Sequence, residues 1–131
     1  MYLKEPCWVC HGHMEERSVH HAVPTSLGGT DADYNRIVIG RACHDLLHFH
    51  QHPDTLFDRV NRVKQGSSRH RKFLRFVSHL SDPEKRDRIL KLREVISLAV
   101  AGVGNTKEIL EAVFPAWLSE ELWKSPFPLK D

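Results

Sequence analysis

The sequence predicts an α+β protein: a strand–loop–strand–helix unit over residues 1–53, then a helical extension over 54–131. Three observations carry this. Eight of the ten histidines and all three cysteines fall before residue 53. Two short β-branched runs flank a glycine-bearing loop in the same region. Beyond Asp54, apolar residues recur at three- and four-residue intervals, the helical period. A chain of 131 residues fits one domain with a small appendage and can bury a core without disulfides.

Arg17–Val23 reads as the first strand, with Val19 and Val23 β-branched and Pro24 ending it. Thr25 to Tyr34 is the loop, turning at Gly28-Gly29. Arg36–Ile39 is the second strand, antiparallel to the first, and Gly40 breaks it. Ala42 to about His50 reads as a helix stopped before Pro53. Leu56, Phe57, Val60 and Val63 predict a second helix, and Phe73, Leu74, Val77 and Leu80 a third beyond Gly66-Ser67-Ser68. Ser81-Asp82-Pro83-Glu84 starts a fourth, with Ser81 and Asp82 competing for the cap, and it runs to about Ala101. Asn105 to Glu108 is a capping-box pattern ahead of Ile109, Leu110, Val113 and Phe114. Trp117, Leu118, Leu122 and Trp123 close the chain as a short amphipathic piece, the tryptophans serving as core or partner surface.

The net charge of +2 conceals a strong segregation. Residues 1–58 balance to −4, residues 59–104 to +8 and residues 105–131 to −2. Arg59, Arg62, Lys64, Arg69, Arg71, Lys72 and Arg75 fall in seventeen residues with no acid among them. The longest apolar stretch, near Ile96–Val103, is too short to span a bilayer. The first residues have no apolar run of the secretory type, so an intracellular protein without membrane contact is expected.

The chemistry sits in His20-His21, Asn35, Cys43-His44 and His48. His44 and His48, four apart on a helix, project from one face and can reach one ion together. A third ligand can come from the strand end, where neighbouring side chains point to opposite sides. One of His20 and His21 is then the ligand, and the other is left to take a proton from water. His11, His13, His50 and His52 read more simply as solvated histidines. Cys7-x-x-Cys10 with an odd third cysteine, Cys43, favours metal binding over a disulfide framework.

From Cys7 to about His52 this pattern resembles the HNH endonucleases of the ββα-metal fold. The likeness lies in Cys7-x-x-Cys10, His20-His21 with Pro24, Gly28-Gly29-Thr30, Asn35, Cys43-His44 and His48. The Asn35–His44–His48 spacing is also similar to that of colicin-type nuclease domains. The resemblance implies that His21 is the general base and that His20, His44 and His48 hold one divalent ion, Mn²⁺, Mg²⁺, Ni²⁺ or Zn²⁺. It implies that Asn35 holds the loop and orients His21 through a hydrogen bond. The implied reaction is hydrolysis of a DNA phosphodiester to 5′-phosphate and 3′-hydroxyl ends, nicking one strand per engagement. Many relatives carry a structural zinc on two Cys-x-x-Cys pairs, but Gly40 stands where the third thiolate would be. Two readings remain: a Cys₃His zinc site on Cys7, Cys10, Cys43 and His13, or a decayed site of small buried thiols.

The basic stretch 59–75 is expected to bind the backbone of double-stranded DNA without reading sequence. A non-catalytic, zinc-stabilised nucleic-acid-binding module is the rival reading. A nuclease subunit docked through its carboxy-terminal helices to a larger phage-type DNA-processing machine is another. Monomer and homodimer are both compatible with the sequence.

Overall fold

The computed structural model describes residues 6–10 and 16–124, and within them it is mixed α+β, with a two-stranded sheet and five α-helices. Strands β1 (Arg17–His21) and β2 (Arg36–Gly40) pair antiparallel, with Val19 opposite Val38 and His20 opposite Ile37. β1 ends at His21, two residues before the expected Val23, because the Asn35 side chain replaces the ladder there. Its Oδ1 accepts the Val23 amide at 2.8 Å and its Nδ2 donates to the Val23 carbonyl at 3.0 Å. A third bond, from Nδ2 to the Thr30 carbonyl at 2.7 Å, pulls the loop over it. The glycine pair serves this fold-over. Gly28 has a positive φ of 92°, and a Cβ on Gly29 would lie 1.8 Å from the Val23 carbonyl oxygen.

Helix α1 (Arg41–Leu47) follows β2 directly. It is shorter than expected, and His48 is its C-cap rather than an interior residue. The next predicted helix shrinks to a single turn, α2 (Leu56–Arg59). The amides of Asn61 and Arg62 bond back only three residues, to Asp58 and Arg59, and so tighten the chain out of the α-helix. Helix α3 (Ser68–Leu80) begins at Ser67, whose hydroxyl accepts the His70 amide at 3.1 Å. Asp82 wins the competition to cap α4 (Pro83–Ala101), accepting the amides of Glu84 and Lys85. The expected capping box of Asn105 and Glu108 opens α5 (Thr106–Val113).

After α5 the chain forms turns rather than a helix, yet it is tied down firmly. Trp117 is fully buried, packs edge-on to Trp8 at 5.5 Å, and donates its indole N–H to the Tyr34 carbonyl at 2.6 Å. Trp8 donates likewise to the Leu122 carbonyl at 2.7 Å. The hydrophobic core therefore runs unbroken across residue 53, joining Trp8, Ile37 and Leu46 to Leu56, Phe76, Leu92 and Trp117. Each such fully buried side chain contributes about 1.5–3 kcal/mol, so the helical region supplies much of what stabilises β1, β2 and α1. No helix among the described residues is long and apolar enough to cross a membrane.

Candidate metal centre

The pleat of β1 separates its two terminal histidines. His20 is buried and faces α1, whereas His21 turns toward the loop, its Nε2 2.8 Å from Asp31 Oδ1. His44 and His48, one turn apart, bring their rings to 5.5 and 5.9 Å from that of His20 and to 4.6 Å from each other. One ring nitrogen from each of the three lies within 4.8 Å of the others. Nitrogens sharing one ion at about 2.1 Å stand roughly 3.0–3.4 Å apart, a spacing that small side-chain rotations reach. Burial increases from exposed His48 through half-buried His44 to His20, so the cluster opens to solvent at one end.

His20 is available as a donor to a cation. His20 Nε2 is buried without a hydrogen-bond partner, an orphaned polar atom on a ring that belongs to the cluster. Burial first, then the rings of His44, His48 and His21, hold the His20 imidazole down to about 4, so it is neutral with a lone pair available at pH 7. Burial also lowers His48. The donor set thus fits a divalent transition ion. Asp31 is held below the usual carboxylate range, chiefly by its hydrogen bond with His21 and next by Arg36.

Asn35 holds the loop as expected, but it does so through Val23 and Thr30; its side-chain bonds go there and not to His21. The side-chain bond to His21 comes from Asp31 instead. Its spacing ten residues after His21, in a loop folded back by Gly28 and Gly29, was the only hint in the sequence.

The three cysteines converge in a second cluster. The sulfurs of Cys7, Cys10 and Cys43 lie within 4.8 Å of one another, and no disulfide joins them. The Cys7 thiol is pulled far below its ordinary range by hydrogen bonds from Cys10 and then Cys43, while the same contacts and burial push Cys43 up. His13, the expected fourth ligand, lies outside the described residues. His79 of α3 stands with Nδ1 3.4 Å from Cys43 Sγ.

Two arginines of α4 lock both clusters from behind. Buried Arg88 donates to the carbonyls of Trp8 (3.0 Å) and Val9 (3.2 Å) in the Cys7–Cys10 turn. Arg93 donates to four carbonyls at the end of α1 and beyond: Leu46, Leu47, Phe49 and Gln51, at 2.8–3.2 Å. Their charge gave no sequence signal of this inward role, because a basic helix reads as a solvated one.

The basic stretch is divided. Arg59, Arg69 and Lys72 line a groove of about 440 Å³ that His48 also lines, together with Asp45, Phe49 and His50. Arg59 is fixed over the Phe49 and Phe73 rings and donates to Gln51. Arg62 lines the adjoining groove with Arg59 and Arg69. Lys64, Arg71 and Arg75 line neither, and Arg71 folds back on the Gly66 carbonyl at 2.9 Å. The histidine cluster and the cationic groove are therefore contiguous at His48, with three of the seven predicted cations beside them. No protein-family model matches the chain, and no similar curated protein or solved structure was found.

Proposed function

We propose that this protein is a metal-dependent endonuclease of the HNH type that hydrolyses DNA phosphodiester bonds, with a ββα-metal unit formed by β1, β2 and α1. The observation that carries the reading is the division of labour at the end of β1. His20, with its orphaned nitrogen, points into a three-histidine cluster, while its neighbour His21 points out of it and is paired with a carboxylate. A cation bound by His20, His44 and His48 would neutralise charge developing on the phosphate and stabilise the leaving 3′ oxygen.

The chain's own residues supply the rest. Asp31 accepts from His21 Nε2, which leaves Nδ1 as the nitrogen that takes the proton from attacking water. When that proton arrives, the adjacent carboxylate stabilises the imidazolium formed. Asn35 keeps the loop that bears Asp31 folded against Val23. Arg69 and Lys72, in the groove that His48 also lines, suit the phosphates flanking the scissile bond.

A supercoiled-plasmid assay tests the proposal. EDTA-stripped protein is supplied with Mn²⁺, Ni²⁺, Zn²⁺ or Mg²⁺, with wild type and His21→Ala side by side. The expected result is metal-dependent open circle that the variant fails to form. Three imidazole ligands favour Mn²⁺ or Ni²⁺ over Mg²⁺. Wild type that binds DNA but never nicks it with any of these ions overturns the catalytic reading and leaves a binding module.

A further inference from the structure

We infer that Cys7, Cys10, Cys43 and His79 form a structural Cys₃His zinc site, in which His79 from the helical region closes a set that the amino-terminal unit leaves one ligand short. The inference does not depend on the nuclease reading. Three thiols already gather, two of them from a Cys-x-x-Cys turn and one from α1. Sulfurs sharing one zinc at about 2.3 Å lie about 3.8 Å apart, within the span these sulfurs already occupy. An imidazole nitrogen at about 2.0–2.1 Å from that zinc would sit about 3.5 Å from each sulfur. The His79 Nδ1 to Cys43 Sγ separation of 3.4 Å matches that edge for one of the three sulfurs, and a rotation of the His79 side chain would close the other two.

The surroundings suit a resident ion better than loose thiols. Cys7 and Cys43 are 1% and 0% exposed, and Cys10 and His79 are half-buried. The turn that presents Cys7 and Cys10 is held independently by Arg88 on its carbonyls and by the Trp8 amide on the Val38 carbonyl at 2.7 Å. Cys7 and Cys10 are thus preset before an ion arrives, which lowers the ordering cost of binding. Nitrogen and thiolate donors in a four-coordinate set select Zn²⁺ over Mg²⁺ or Ca²⁺. The three thiols release their protons when it binds.

The test uses the full chain carrying His44→Ala and His48→Ala, so that metal held by the histidine cluster does not confuse the count. Zinc is measured by elemental analysis, affinity by competition with a chromophoric chelator, and ligand identity by the absorption of the cobalt(II)-loaded protein. We expect about one zinc per chain and tetrahedral cobalt bands with thiolate charge transfer. His79→Ala should weaken zinc at least tenfold. His79→Cys should keep zinc and strengthen the thiolate charge-transfer band, a result that also covers failure of the alanine variant to fold. A cobalt spectrum unchanged by His79→Cys, or lost instead with His13→Ala, overturns the assignment of His79. A preparation without zinc in zinc-supplemented medium, with all three thiols free to alkylation once unfolded, overturns the site itself.

Discussion

Replacing Arg93 with methionine removes the guanidinium while keeping a similar apolar stem. In the wild type, that guanidinium meets the Leu46 and Leu47 carbonyls at 3.2 Å, Phe49 at 2.8 Å and Gln51 at 3.0 Å. Hydrogen bonds to a charged group are worth about 1.5–3 kcal/mol each when fully desolvated. Here the guanidinium is partly exposed, so water recovers most of each loss. The favourable placement of a cation at the end of α1 adds about 0.3–1 kcal/mol. We expect a destabilisation of about 2–3 kcal/mol, read as a shift of the urea midpoint at constant slope in EDTA. His48 is the C-cap between those carbonyls, so the second consequence is a looser ligand. Calorimetric titration with Ni²⁺ should show about tenfold weaker binding at the site that His44→Ala abolishes, equivalent to about 1.4 kcal/mol. Stability reduced by less than about 0.5 kcal/mol would show that water replaces the guanidinium fully. Unchanged Ni²⁺ affinity would show that His48 is held without it.

Three further outcomes follow from the geometry. Gly29→Ala places a Cβ against the Val23 carbonyl at 1.8 Å, so the loop must open; we expect a loss of more than about 2 kcal/mol by denaturation, and a wild-type melt refutes the close approach. For the metal-free protein, His20 titrates near 4 when folded against 6.5 when unfolded, so the unfolded chain takes up a proton first as pH falls. Stability should be intact above about pH 6.5 and decline toward pH 4 by at most about 3 kcal/mol, with lowered His48 acting in the same direction; urea midpoints that stay flat between pH 7 and 5, or a decline that persists in His20→Gln, contradict this. Charge reversal at Arg69 or Lys72 should weaken DNA binding and reduce its salt slope by about one or more, whereas reversal at Arg71, outside the groove, should do less; equal effects would dissolve the distinction.

What could be read from the residues was local. The alternation at His20-His21 and the four-residue step from His44 to His48 are direct consequences of strand and helix periods, and the three-histidine cluster falls where those periods place it. The caps at Asp82 and Asn105 are equally local. What could not be read depends on contacts across tens of residues. β1 is cut short by a side chain from Asn35, and α1 is bounded by Arg93 from another helix. Asp31 meets His21 only once the loop is folded, and His79 meets Cys43 only once α3 has packed on α1. Arg88 and Arg93 illustrate the general difficulty: composition assigns them to a basic surface, but packing turns their charge onto backbone carbonyls.

Cys43 and His44 are consecutive on α1, yet one joins the sulfur cluster and the other the imidazole cluster. A seven-residue helix is too short to hold its own shape or direction in water. Its orientation is therefore set by whatever grips it on either flank, and a tilt that tightens one cluster moves the other by the same rigid rotation. The helix is in this sense a fulcrum. An ion on either flank would change the affinity for an ion on the opposite flank, and because linkage is reciprocal each would do so by the same factor.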